Sequence, residues 1–172
     1  PGVWPAVSTC TESSWFDMII NIKDNYLTRE TCVEVIKAFH DNKSKIQKYR
    51  DRDFLKIDNF GNIGEELDKE SFLINNSTLD WVHIVKWPKN SEHNLHTDDA
   101  KLNTTLACII YLNEDYTGGQ TYFEDGTIIA PKTGRALFFD GHYYKHGVKC
   151  IKEGTRYTIA AWFKNKPILK RE

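Results

Sequence analysis

Leu106-Ala107-Cys108-Ile109-Ile110-Tyr111-Leu112 is a nearly continuous apolar run bounded by polar residues. A run of this length with no polar alternation reads as a strand covered on both faces. Downstream, the turn cluster Asn113 to Gly119 is followed by short strand-like segments at Thr121–Phe123, Thr127–Ala130, Ala136–Phe139, Gly147–Ile151 and Arg156–Phe163. Asp125-Gly126 suits a hairpin turn, and Pro131-Lys132-Thr133-Gly134 and Lys152-Glu153-Gly154-Thr155 separate later strands. Many short strands at even spacing predict a mainly β domain, a double-stranded β-helix or jelly roll.

Upstream, Trp81 to Trp87 reads as a strand stopped by Pro88, and Trp15 to Ile22 as a first strand. Between them Cys32, Val33, Val35, Ile36 and Phe39 recur at helical spacing behind Thr28, a good N-cap. The spacing predicts an N-terminal support helix over 29–41, packed outside the barrel. Residues 42–78 are charged, then rich in Asn and Gly. They suggest a turn with a short helix over 62–70, or a mobile loop over the site. Residues 56–78 are expected to close over that site when an acceptor binds.

At 172 residues the chain suits one domain. The expected division is a disordered or artificially appended tail over 1–14, a catalytic domain over 15–163 and a C-terminal tail over 164–172. The net charge is −1 with both signs interspersed, so nothing in it asks for nucleic acid or an anionic membrane. No apolar run approaches membrane-spanning length. Cys10, Cys32, Cys108 and Cys150 show no Cys-x-x-Cys spacing. The last three sit among apolar residues and read as buried free thiols, which favours a reducing compartment and a cytoplasmic location. No signal peptide is recognisable, and residue 1 is proline rather than methionine, so the natural N-terminus can lie upstream.

Just before the β-rich half stands Asn94-Leu95-His96-Thr97-Asp98-Asp99. In an extended segment His96 and Asp98 project to one side, offering an imidazole nitrogen and a carboxylate oxygen to one point. With a second histidine they form the facial triad that holds iron(II) and leaves coordination positions open. The chain has six histidines and thirteen aspartates, so a His-x-Asp pair arises by chance about half a time. A polar turn before a strand is the competing reading of this stretch alone, with Asp99 a solvated neighbour.

The far end of the chain decides between them. His146-Gly147-Val148 is followed ten residues later by Arg156, and between the two ends stand Tyr111-Leu112-Asn113, Gly118-Gly119-Gln120-Thr121 and Trp162-Phe163. This ordered set resembles the 2-oxoglutarate- and iron(II)-dependent dioxygenases, within them the prolyl 4-hydroxylase-like group. The resemblance runs over about residues 19–163 and is strongest from 94 onward. It implies His96, Asp98 and His146 as metal ligands, with Arg156 gripping the 5-carboxylate of 2-oxoglutarate, helped by Tyr111 and Thr158. A carboxylate buried in an apolar barrel needs a cation, and arginine offers a planar, always protonated fork. The implied co-substrates are 2-oxoglutarate and O2, with L-ascorbate as a reductant. The implied acceptor is a proline-containing peptide or protein, or a small molecule. Trp87, Tyr143 and Tyr144 are candidates to touch it. Arg156 departs from the lysine usual in collagen-type enzymes, and Trp87 from the family's frequent tyrosine.

Among the other histidines, His142 lies outside the motif and His93 lacks further ligands for a zinc site with His96. His40 reads as a helix-end residue and His83 as a strand surface residue. Two function classes follow: an oxygenase of prolyl residues, or of a free amino acid or other small molecule, and a metal-binding jelly roll without catalysis. Turnover of 2-oxoglutarate separates them.

Overall fold

Residue Thr28 starts the first helix as expected: its hydroxyl accepts the Thr31 amide, and α1 runs Arg29–Asp41 with Cys32, Val35 and Phe39 buried. The structure, a computed structural model, describes residues 20–58, 61–98 and 104–165. The tail expected over 1–14, most of the strand expected over 15–22, Cys10, Asp99 and residues 166–172 lie outside the described residues. Of the first strand, β1 (Ile20–Lys23) is described. After a 3-10 turn at Lys43–Lys45 come β2 (Gln47–Tyr49), β3 (Arg52–Lys56), α2 (Gly61–Asn75), β4 (Ser77–Trp87) and β5 (His93–His96). The second half supplies β6 (Thr104–Tyr111), β7 (Thr117–Gly118), β8 (Thr121–Phe123), β9 (Ile128–Ile129), β10 (Ala136–Phe139), β11 (His146–Val148), β12 (Ile151–Glu153) and β13 (Arg156–Asn165).

The strands form a seven-stranded sheet ordered β1-β10-β6-β13-β4-β3-β2, a four-stranded sheet ordered β5-β11-β8-β9, and a small β12-β7 pair. All their pairings are antiparallel. This is the expected jelly-roll architecture. The run 106–112 is central in the large sheet, flanked by β10 and β13. Asp125-Gly126 closes the β8–β9 hairpin, with Gly126 at φ +90°.

Three expectations need correction. The segment 42–78 carries a hairpin and a 15-residue helix, not a loop with a short helix. Leu67 on α2 is fully buried, and Ile63 and Ile74 pack on the same cluster as Val82, Ile84 and Ile159. These sheet residues alternate with the ones facing the cavity described below, so α2 covers the opposite face of the large sheet and is no lid over the site. The strand expected over 147–151 is two strands, β11 and β12, in different sheets, with the chain crossing at Lys149-Cys150. Cys150 is accordingly only partly buried, while Cys32 and Cys108 are buried, and all three are unpaired. The C-terminal tail begins later than expected, because Lys164 and Asn165 pair with Thr78 and Ser77 within β13 and β4.

Because the register is continuous, the cavity face of the large sheet reads as four rows. Arg156 lies opposite Trp87. Thr158 lies between Val85 and Tyr111, Ala160 between His83 and Ile109, and Trp162 between Trp81 and Ala107. Phe139 extends the last row beyond Ala107. Among the described residues no helix is long and apolar enough to cross a membrane.

Candidate active site

The smaller sheet brings the metal-type residues together. His146 on β11 is paired directly with His96 on β5. Asp98 follows two residues after His96, and its amide donates to the Gly141 carbonyl at 2.8 Å, tying the end of β5 to the turn after β10. One donor atom from each of His96, Asp98 and His146 lies within 4.8 Å of the others. His146 Nε2 is 3.9 Å from Asp98 Oδ1.

Both histidines are oriented in the same way. His96 Nδ1 lies 2.9 Å from the Asn94 carbonyl and His146 Nδ1 lies 3.1 Å from the Tyr144 carbonyl, each two residues back in the chain. A carbonyl can only accept, so each Nδ1 carries the proton and each Nε2 keeps a free lone pair. That is the usual outer support of a metal-bound imidazole. Asp98 Oδ2 is buried and forms no hydrogen bond among the described residues.

Burial dominates the electrostatics. It holds His146 at a pKa of about 4. It also lowers His96, with the neighbouring His146 adding to the effect. It pushes Asp98 up to about 6, only partly offset by the Trp162 indole and by His96. Two neutral imidazoles and a carboxylate that is costly to ionise alone suit a divalent cation. The acid limit of metal binding therefore belongs to Asp98 and not to the imidazoles. Metal affinity is expected to be level above pH 7 and to fall as pH drops through about 6, where Asp98 takes up a proton that competes with the metal; metal titrations from pH 5 to 8 check this. A limit near the ordinary histidine value that persists in Asp98→Asn contradicts it.

Gly141, which sequence reasoning passed over, packs against this carboxylate. A Cβ there would stand 2.1 Å from Asp98 Oδ2 and 3.1 Å from the Ala107 Cβ. Gly141→Ala is expected to displace Asp98 and weaken metal binding by about 10- to 100-fold, the range seen when supporting contacts of ligands are lost. Calorimetric metal titration reads the effect.

At the other end of the first row, Arg156 is 1% exposed and forms no ion pair among the described residues. Its Nη2 reaches Thr121 Oγ1 at 3.5 Å and its Nε has no hydrogen-bond partner among the described residues. The Tyr111 hydroxyl donates to the same Thr121 oxygen at 2.7 Å. The Trp87 indole N–H is also buried without a hydrogen-bond partner among the described residues, and the buried Tyr116 hydroxyl faces Arg156. Burial raises the Tyr116 phenol well above its ordinary pKa, although Arg156 pulls it down. A buried guanidinium surrounded by unsatisfied polar groups fits an anionic ligand group. Gly119 makes room for it: at φ +67°, its absent Cβ would lie 2.8 Å from the Tyr116 ring and 3.2 Å from the Arg156 side chain. Thr121 closes the Gly118-Gly119-Gln120-Thr121 landmark and Tyr116 stands two residues before it, which was the signal available for them. Thr158, 2% exposed, shares this face beside Tyr111.

A cavity of about 390 Å³ runs from the three metal-type residues along the large sheet. Trp87 lines it, between two cations: the guanidinium of Arg52 is 3.8 Å above its ring and that of Arg156 is 5.1 Å from it. His83, expected on the surface, also lines it, stacked on Phe54 with ring centroids 4.6 Å apart. Tyr143 and Tyr144 do not. Tyr143 is 74% exposed, and Tyr144 is buried edge-on against Phe123, its carbonyl orienting His146. His142 sits in the turn after β10 and takes no part in the cluster. His93 packs on His96, with ring centroids 3.8 Å apart, and is a neighbour of the cluster, not a member. His40, at the end of α1, meets the Tyr157 hydroxyl at 3.0 Å.

A jelly roll that gathers two histidines and one carboxylate defines a candidate divalent-metal domain. Residues 82–164 match the family model described as the 2OG-Fe(II) oxygenase superfamily. Over 101 residues, 46% of this chain, the sequence is 37% identical to prolyl 3-hydroxylase 1 of Rattus norvegicus, but the match spans only 14% of that protein. The fold matches a prolyl-4-hydroxylase from Pseudomonas putida with a TM-score of 0.73 at 15% identity, covering 88% of this chain and 95% of that one. It also matches a Trichoplax adhaerens prolyl hydroxylase in complex with a hypoxia inducible factor oxygen degradation domain peptide fragment, with a TM-score of 0.69 at 17% identity, covering 85% and 83%. Residues 82–164, just under half of the chain, thus carry the match to the 2OG-Fe(II) oxygenase superfamily, and the fold is that of the prolyl hydroxylase structures.

Proposed function

We propose that this domain is an iron(II)- and 2-oxoglutarate-dependent dioxygenase that hydroxylates prolyl residues of a peptide or protein. The observation that carries the reading is the His96–Asp98–His146 cluster in a cavity whose wall residue Trp87 lies 5.1 Å from the buried guanidinium of Arg156, which has no ion-pair partner among the described residues. In this reading residues 15–163 are the catalytic unit. His96, Asp98 and His146 hold the metal through two imidazole Nε2 atoms and one carboxylate. Arg156 and the Tyr111 hydroxyl hold the 5-carboxylate of 2-oxoglutarate, with Thr121 between them and Thr158 alongside.

When bound, iron(II), 2-oxoglutarate and O2 together supply the oxidising power to insert one oxygen atom into a C–H bond while 2-oxoglutarate becomes succinate and CO2. The protein's own part is positional. The carbonyls of Asn94 and Tyr144 keep both Nε2 lone pairs available. The apolar rows around Val85, Ile109 and Ala160 exclude water from the reacting centre. The acceptor class is supported by the names of the relatives, a prolyl 3-hydroxylase in sequence and prolyl hydroxylases in fold, one of them holding a peptide. The buried free thiols Cys32 and Cys108 suit a reducing compartment such as the cytoplasm.

The test is a panel of proline-containing peptides and free amino acids incubated with iron(II), 2-oxoglutarate and ascorbate. The expected result is a peptide gaining one oxygen atom with one succinate released per event. Fragmentation of the product then locates the hydroxyl on C3 or C4. Succinate release without any acceptor gaining oxygen, across peptides and small molecules, contradicts the acceptor class. Binding of 2-oxoglutarate without succinate release identifies a catalytically idle module.

A further inference from the structure

We infer that the acceptor is an acidic peptide, and that Arg52, with Arg50 at the rim, recognises a carboxylate side chain next to the residue that is oxidised. The inference rests on the oxygenase reading above and specifies its substrate. The β2–β3 hairpin carries Arg52 into the cavity wall and leaves Arg50 in its turn, against the lining residue His93. Arg52 is a wall residue there, 6% exposed, its guanidinium flat on the Trp87 ring. It is held from one side: Nε and Nη2 approach Asp51 Oδ1 at 3.2 and 3.1 Å, and Nη2 reaches the Glu92 carbonyl at 3.3 Å. Asp51 is itself committed elsewhere, its second oxygen accepting the Glu92 amide at 2.9 Å. Arg52 Nη1 makes no hydrogen bond within the described residues.

Arg50, at φ +57° in the hairpin turn, has no carboxylate partner among the described residues; its Nη1 meets His93 Nε2 at 3.2 Å. The neighbouring wall is Phe54, His83, Trp81 and Val85, none of which supplies a negative charge. A fixed guanidinium with a spare N–H in an aromatic wall selects a planar anion. Two such cations, one inside and one at the rim, suit successive acidic side chains of a peptide better than the single carboxylate of a free amino acid.

The experiment uses one peptide length with proline flanked by Asp, by Asn or by Lys, and free proline as a comparator. Rates are followed by succinate release and peptide mass, and binding by calorimetry under nitrogen with metal and 2-oxoglutarate present. The Asp peptide is expected to show a KM about tenfold below the Asn peptide and lower still against the Lys peptide, with kcat similar and the gap shrinking as salt rises. Arg52→Gln should bring the Asp-to-Asn ratio to about one, and Arg52→Lys should restore part of it. Equal KM values for the three peptides, free proline matching the Asp peptide, or a preference that survives Arg52→Gln overturns the inference. So does an Arg52→Gln protein that loses 2-oxoglutarate affinity as strongly as Asp-peptide affinity, since Arg52 then serves the co-substrate. If no acceptor is turned over, the oxygenase reading fails by itself; the anaerobic Asp-against-Asn binding ratio still decides the inference.

Discussion

Arg156→Ala is expected to weaken 2-oxoglutarate binding to the metal-loaded protein by roughly thirty- to several-thousand-fold, corresponding to about 2–5 kcal/mol for truncating one member of a buried charge pair. The co-substrate carboxylate would lose the buried guanidinium that lies beside Tyr111 and Thr121. Metal affinity should change little, since Arg156 is outside the His96–Asp98–His146 cluster. Arg156→Lys should retain part of the binding, as charge survives while the fork is lost. Tyr111→Phe should cost less, about 0.5–3 kcal/mol for one hydrogen bond to a charged partner. A further contrast separates anchoring from folding. Without ligand, Arg156 is a buried cation lacking an acid, so Arg156→Met should leave the thermal stability of the ligand-free protein level or raised. Wild-type stability should rise by about 2.7 kcal/mol at a hundredfold excess of 2-oxoglutarate over Kd, and at the same concentration that rise should fall below about 1 kcal/mol in Arg156→Met. Calorimetric titration and thermal melts check these values. Unchanged 2-oxoglutarate affinity in Arg156→Ala contradicts the anchor.

Asp98→Ala is expected to reduce iron-dependent turnover to background. It deletes the only carboxylate of the cluster, leaving two imidazoles and no negative charge to offset the metal. The same substitution removes a group whose pKa is pushed up to about 6 by burial. In the metal-free protein the ionised form is disfavoured by folding, so Asp98 lowers stability as pH rises from its unfolded value through about 6. Metal-free Asp98→Ala should therefore lose less stability between pH 5 and 7 than the wild type, while failing to gain stability from metal. Chemical denaturation with and without metal at the two pH values measures both. Retained turnover in Asp98→Ala shows that another residue completes the metal site.

The sequence made the site more legible than the layout around it. His96, Asp98, His146 and Arg156 were legible through the family motif that they resemble, and the structure brings the first three together and leaves the fourth buried without an acidic partner among the described residues. Thr28, the bounds of α1, and β8 and β10 were readable because a cap and short apolar alternation are local signals. The α2 helix was hidden by its polar composition. Its buried stripe, Ile63, Leu67, Ser71 and Ile74, keeps helical spacing, but Ser71 interrupts the apolar pattern and is satisfied by the Asp68 and Ser77 carbonyls. The role of Gly141 is a packing fact and Arg52 depends on a hairpin register; neither has a local signal. The break between β11 and β12 is likewise invisible in His146 to Ile151, since a strand that changes sheets keeps its apolar residues.

The most direct test of the central claim is an anaerobic titration of 2-oxoglutarate into the iron(II)-loaded protein, repeated without metal and with His146→Ala. One equivalent should bind to the loaded wild type, with binding much weaker in the absence of iron and in His146→Ala. Equal affinity in all three samples would show that the metal cluster and the Arg156 pocket do not hold one co-substrate between them.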